Sequence, residues 1–116
     1  MEITPQHTLL IDIMKSHKGK SLAIKRRELL TRFNMRALRG EEITDRTIRK
    51  LKEECNEYFG QFILSDNEKG YWVANSLNDI VEYEQYYRSY VYNFFKQIEK
   101  VKANYANRAS KQEGLF

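Results

Sequence analysis

Apolar positions recur along this chain with two different periods, and the change of period divides it. Leu9, Leu10, Ile13 and Met14 fall at helical spacing and predict a first helix. Thr4 is a favourable N-cap, and Pro5 fits the first helical position, where its missing N–H has no partner to lose. Gly19 stops that run. Residues 21–24 are short and apolar, and predict a strand or an extended lead into a second helix over 25–33, with Leu29, Leu30 and Phe33 inward. Residues 34–43, with Gly40, predict a turn region. A third helix follows over 44–58, with Thr44 as N-cap, Asp45 in its first turn, and Ile48, Leu51 and Cys55 at i, i+3, i+7 as its inner stripe.

After Gly60 the period falls. Residues 62–64 predict one strand, 66–70 a polar tip, and 71–74 the return strand of a β-hairpin. Side chains alternate across a strand, so of Tyr71 and Trp72 one is expected in the core and the other partly exposed, with Trp72 as the buried one. Ser76 and Asp79 form a capping-box-like start to a helix that meets no breaker until Asn107. The expected fold is mainly α with a small β-hairpin, followed by a long C-terminal helix. Three helices and then a hairpin is the winged helix-turn-helix plan, and an unrelated α+β domain with a hairpin has the same order. The expected organisation is a domain over 1–75, a long helix over 76–107, and a flexible tail over 108–116.

Charge sharpens this picture. The formal net charge is only +4, but it is unevenly spread. Residues 15–52 hold 13 Lys and Arg against 4 Asp and Glu, a net of +9, whereas residues 53–89 hold 2 against 8, a net of −6. A basic block over the second and third helices attracts polyanions, because Lys and Arg displace counterions condensed on phosphates. With Ile48, Leu51 and Cys55 inward, Arg46, Arg49, Lys50 and Glu53 are expected outside, and Thr47 near the helix start. Arg46 and Arg49 suit bidentate contacts to guanine, Thr47 a thymine methyl or a phosphate, and Lys50 and Lys52 phosphates. Lys25, Arg26 and Arg27 are expected to clamp the backbone at the start of the second helix. Lys69 at the wing tip is a candidate contact, although Asp66 and Glu68 make that tip locally acidic.

The stretch Ile43-Thr44-Asp45-Arg46-Thr47-Ile48-Arg49-Lys50-Leu51 resembles the recognition helices of winged helix-turn-helix DNA-binding proteins. Residues 62–65 and 69–74, with Gly70-Tyr71-Trp72 after a polar tip, resemble the wings of the small phage and plasmid members. The resemblance covers about residues 5–75. It implies double-stranded DNA as partner, with the third helix in the major groove, in a transcription regulator or replication factor. The turn over 34–42 is longer than in a tight helix-turn-helix, and leaves open the angle between the second and third helices.

Other chemistry finds little support. Gly19-Lys20-Ser21 lacks the earlier glycine of a phosphate-binding loop, since Met14 stands at that position. His7 and His17 have no partners at zinc spacing, and Cys55, the single cysteine, lies on an apolar stripe. A non-enzymatic protein is expected, with no catalytic residues, metal or cofactor. A lone cysteine gives no sign of secretion, no apolar run is long enough to span a membrane, and residues 1–5 lack a signal-peptide layout, so a cytoplasmic location is the default.

The last third carries a different signal. Ile80, Tyr87, Val91, Phe94, Ile98, Val101 and Tyr105 recur in steps of three and four, interrupted by Glu84, and form a heptad seam. Tyr83, Tyr86, Tyr90, Tyr92 and Phe95 widen it. A helix of about 30 residues is about 45 Å long, whereas a domain of about 70 residues has a radius of gyration of about 11 Å. Such a helix outruns its own domain, so either a homodimer covers it or it bends back onto its own core. Finally, Gln112, Leu115 and Phe116 resemble the short motif by which bacterial replication and repair proteins bind the sliding clamp, with Glu113 where that motif has leucine. That resemblance implies the clamp as a second partner, and supports an alternative reading as an interaction adaptor.

Overall fold

The structure, a computed structural model, describes residues 1–113, and the side chains of residues 1–110. It is mainly α with one two-stranded antiparallel hairpin and a long C-terminal helix. The elements are α1 (Pro5–Met14), a short 3-10 turn (Lys20–Leu22), α2 (Arg26–Arg36), α3 (Asp45–Tyr58), β1 (Ile63–Asp66), β2 (Gly70–Val73) and α4 (Leu77–Glu113). The chain divides into two compact units, Met1–Asp79 and the helix from Ile80 onward.

The first unit is built around the stripes read from the sequence. Leu10, Ile13 and Met14 of α1, Leu29 and Phe33 of α2, Ile48, Leu51 and Cys55 of α3, and Ile63 and Tyr71 of the hairpin form one buried cluster. Leu30 packs at its margin. Burial pushes the Cys55 thiol up to about 11, so it stays protonated at neutral pH and is a packing residue. The start of α1 is held by a capping box. The His7 N–H donates to Thr4 Oγ1 (3.3 Å), and the Thr4 N–H donates to His7 Nδ1 (3.0 Å). With Nδ1 accepting, the ring proton lies on Nε2, 3.2 Å from Glu54 Oε1, so buried His7 also ties α1 to α3.

Several local expectations change. Residues 21–24 form no strand of their own. Instead the segment between α1 and α2 lines the free edge of β2, with Lys18 bridging Val73 and Ile24 bridging Tyr71. The hairpin tip is three residues long, because Asp66 pairs with Gly70, and Phe62 lies outside β1 and exposed. Tyr71 and Trp72 are both 3% exposed. Tyr71 enters the main cluster. Trp72 points to the other face, where it pairs across the hairpin with buried Leu64 and lies under the Lys20 ammonium, 5.8 Å from the ring centre. The hairpin is therefore covered on both faces, which strand alternation alone does not reveal.

Helix α2 continues past Phe33 to Arg36, and Asn34 explains why the turn after it is well defined. Its Nδ2 donates to the Ile43 carbonyl (3.0 Å), and its Oδ1 accepts the Ile43 N–H (2.9 Å). Asn56 brackets Ile63 in the same way, at 2.9 and 2.8 Å. Two side-chain amides thus stand in for strand partners and set the entry into α3 and the exit into the hairpin.

Helices α1 and α2 are linked at the surface by Arg36 and Asp12, 2.6 Å apart. The Arg36 guanidinium holds the Asp12 carboxyl below its ordinary value of 3.8. The pair therefore contributes stability above that ordinary value, and the contribution is lost as pH falls through the depressed one. Replacing Arg36 by alanine is expected to return the Asp12 titration, followed by carboxyl NMR, to the ordinary range. An unchanged midpoint would show that the pair does not persist in solution.

Helix α4 begins as its sequence pattern requires, with one shift. The Asp79 N–H donates to Ser76 Oγ (3.3 Å), but the Asp79 carboxylate accepts the N–H of Asn75, not of Ser76 (2.7 Å). The helix also runs past Asn107 to Glu113. Residues 108–113, expected in a flexible tail, are helical, because Arg108, Ala109, Lys111 and Gln112 are good helix formers and Asn107 alone is a weak breaker.

Candidate nucleic-acid interface

The inner stripe of α3 is buried in the core, and this fixes what faces outward. Arg46, Arg49, Lys50 and Glu53 are exposed, and Thr47 is half-buried. Among the described residues, Arg46, Arg49 and Lys50 have no ion-pair partner (in contrast to Arg32, Arg36 and Arg88, each held by a carboxylate). Three unpaired cations on the first two turns of one helix form a surface that can meet a polyanion without first breaking an internal contact.

Thr44 occupies the N-cap position with extended backbone angles, but its hydroxyl caps no N–H. It lies 3.4 Å from the Thr47 hydroxyl. The first N–H groups of α3 are thus left without a side-chain cap, and the Thr44–Thr47 pair sits beside them. Lys52 departs from its expected role. Its ammonium donates to Ser65 Oγ (3.1 Å), and burial against the hairpin lowers its pKa from 10.5. Lys52 thus ties α3 to the hairpin through Ser65.

The start of α2, the start of α3 and the hairpin tip converge. Lys25, Arg26 and Arg27 line one shallow hollow with Asp45, Asp66, Asn67 and Glu68. Lys25 donates to the Glu68 carbonyl (2.5 Å) and so ties the hairpin tip to the start of α2. Arg26 lies 3.8 Å from Asp45. Of the three, Arg27 is exposed and has no such contact among the described residues.

The hairpin tip is less acidic outward than its sequence implies. The Asp66 side chain is only 10% exposed, accepts the Lys69 N–H, and lies 4.0 Å from the Lys20 ammonium. Glu68 and Lys69 are the charged side chains left facing solvent at the tip. Sequence reasoning missed the roles of Lys20 and Lys25, whose partners lie 43 residues or more away. It also missed Gly70. That glycine has φ +98°, and a Cβ there would fall 2.1 Å from the Ile24 carbonyl oxygen.

Among the described residues, no group of three or more His, Cys, Asp or Glu is placed to hold a metal ion, and no helix is long and apolar enough to cross a membrane. The chain matches no known protein family, no curated protein and no solved structure.

On α4, the seam residues Tyr87 and Ile98 are half-buried, while Val91, Phe94 and Val101 are exposed, Phe94 at 54% and Val101 at 67%. Tyr83, Tyr86 and Tyr90 each meet the Tyr87 ring in a tilted or edge-to-face contact along the helix. The backbone of Gln112 lies in α4, whereas Leu115 and Phe116 lie outside the described residues.

Proposed function

We propose that this protein is a winged helix-turn-helix DNA-binding protein that reads double-stranded DNA by placing α3 in the major groove. The observation that carries this reading is the unpaired set Arg46, Arg49 and Lys50 on the exposed face of a helix whose opposite face is fixed in the core. Rigid support matters, because a bidentate arginine contact to guanine needs a backbone held in place by something other than the DNA. Arg46 and Arg49 supply the base contacts. Lys50 and Arg27 meet phosphates on either side, and Lys69 meets them from the wing. Lys25 acts indirectly, by holding the wing tip against the start of α2 through the Glu68 carbonyl.

The reading predicts a division of labour. Arg46→Ala and Arg49→Ala should each weaken binding to a selected site by about 1–3 kcal/mol and relax preference at one base pair. Lys50→Ala should weaken all sequences alike and reduce the salt slope by about one. Selection of bound sequences from a random pool, repeated with each variant, measures both. If Arg46→Ala and Arg49→Ala leave the selected sequence unchanged, α3 is not the reading helix.

A second reading, an interaction adaptor, is favoured by the uncovered apolar flank of α4. In it the first unit is a scaffold, and Gln112, Leu115 and Phe116 serve as the clamp-binding segment. Indifference to DNA at low salt, together with clamp binding that is lost on deleting residues 112–116, would select it.

A further inference from the structure

The seam of α4 has a symmetry that its heptad spacing alone does not express. Between Glu84 and Arg108 lie six apolar seam positions: Tyr87, Val91, Phe94, Ile98, Val101 and Tyr105. Val91, Phe94, Val101 and Tyr105 are exposed and Tyr87 and Ile98 half-buried, and Phe94, Gln97, Ile98 and Val101 are among the residues that outline a shallow groove on the helix. In heptad packing such a diamond of four residues is the hole that receives one side chain of a facing helix.

We infer that α4 pairs with α4 of a second copy as an antiparallel coiled coil, with Glu84 of each copy facing Arg108 of the other. In one antiparallel alignment all six apolar positions are covered at once. Tyr87 then meets Tyr105 of the second copy, Val91 meets Val101, and Phe94 meets Ile98, with the same three layers repeated beyond the centre. Aromatic meets aromatic and valine meets valine, so the layers are matched in size. The same alignment brings the two polar seam residues together at each end as opposite charges.

A parallel in-register pair does the reverse. It sets Glu84 against Glu84 and Arg108 against Arg108, and like charges at seam positions oppose association. The second copy is therefore chosen by charge as well as by apolar area. Two cations lie beside the seam, each next to a carboxylate on its own helix, Arg88 by Glu84 (2.6 Å) and Lys102 by Glu99 (3.5 Å), so Glu84 is shared between Arg88 and Arg108 of the second copy. In this arrangement the two helix starts lie at opposite ends of the coiled coil. The pairing does not depend on the DNA reading.

Charge exchange in the full-length chain tests both the pairing and its direction. Sedimentation equilibrium of the unaltered chain should give the mass of two copies at high micromolar concentration. Glu84→Arg and Arg108→Glu each convert both end pairs to like charges. At about tenfold per pair, each should weaken the dimer about 100-fold. Glu84→Arg combined with Arg108→Glu restores opposite charges only in the antiparallel alignment, and should recover dimerisation to within about tenfold of the unaltered chain. Far-UV circular dichroism and thermal unfolding of each variant verify that the first unit remains folded. A single-copy mass for the unaltered chain overturns the pairing. A double variant no better than the single ones, or single variants without effect, overturns the antiparallel alignment.

Discussion

Replacing Gly70 by alanine is expected to destabilise the first unit by about 3 kcal/mol or more and to free the hairpin tip from the start of α2. Two effects combine. Gly70 has φ +98°, a conformation that L side chains rarely adopt and that costs about 1–3 kcal/mol to impose. In addition, a Cβ there would lie 2.1 Å from the Ile24 carbonyl oxygen and 2.9 Å from Lys25 Cα. Those atoms are backbone, so no side chain can turn aside to make room. That carbonyl accepts the Tyr71 N–H at 2.8 Å, and the Tyr71 carbonyl accepts the Ile24 N–H at the same distance. Pushing the strands apart therefore breaks the two bonds that attach β2 to the lead into α2. The Lys25 contact to Glu68 follows directly and is lost with them.

The control is Gly60→Ala. Gly60 also has a positive φ, +65°, but a Cβ there meets nothing within 4 Å. It should cost only the backbone term, about 1 kcal/mol. Thermal unfolding followed by circular dichroism measures both. At about 4–8 °C per kcal/mol for a domain of this size, Gly70→Ala should lower the midpoint by roughly 15 °C and Gly60→Ala by roughly 5 °C. Equal shifts for the two variants would mean that the close approach to Ile24 does not limit stability.

Phe33→Ala is expected to be as damaging or more so. Among the described residues Phe33 is the largest fully buried side chain, with 0% exposure, in the cluster where α1, α2, α3 and the hairpin meet. Removing a buried phenylalanine ring typically costs about 3–5 kcal/mol, because transfer free energy is lost and the cavity left behind closes only in part. Set against a total stability of about 5–15 kcal/mol for a small domain, such a loss leaves little margin. Urea unfolding should show a much lower midpoint with an unchanged slope. Met35→Ala, two residues along the same helix and 80% exposed, should change stability by less than about 0.5 kcal/mol. If the protein binds DNA as proposed, that binding should fall in Phe33→Ala in proportion to the unfolded fraction, and recover at lower temperature. A Phe33→Ala protein as stable as Met35→Ala would remove the cluster from its place as the core of the first unit.

The loss expected from Arg46→Ala has a different character. Both arginines are exposed and unpaired, so their removal should leave the unfolding midpoint nearly unchanged while altering sequence preference. Stability and recognition are therefore separable on α3 by face. The inner stripe Ile48, Leu51 and Cys55 is expected to govern the first, and on the proposed DNA-binding reading the outer set governs the second.

Periodicity alone determined the helices, the hairpin, the inner stripe of α3 and the seam of α4. Each is a local property: apolar side chains at steps of three and four share a helix face whatever surrounds it. The outward place of Arg46, Arg49 and Lys50 follows from that stripe in the same way. Tertiary structure decided which cations are free. Lys52 and Lys25 read in sequence as members of the basic block, yet one is held by Ser65 and the other by the Glu68 carbonyl, across 13 and 43 residues. The burial of both Tyr71 and Trp72, the inward turn of Asp66 and the need for glycine at position 70 likewise arise where two distant segments meet. A sequence records the period of a single element, but the partner of a charge and the room for a Cβ are set by whichever backbone the fold brings alongside.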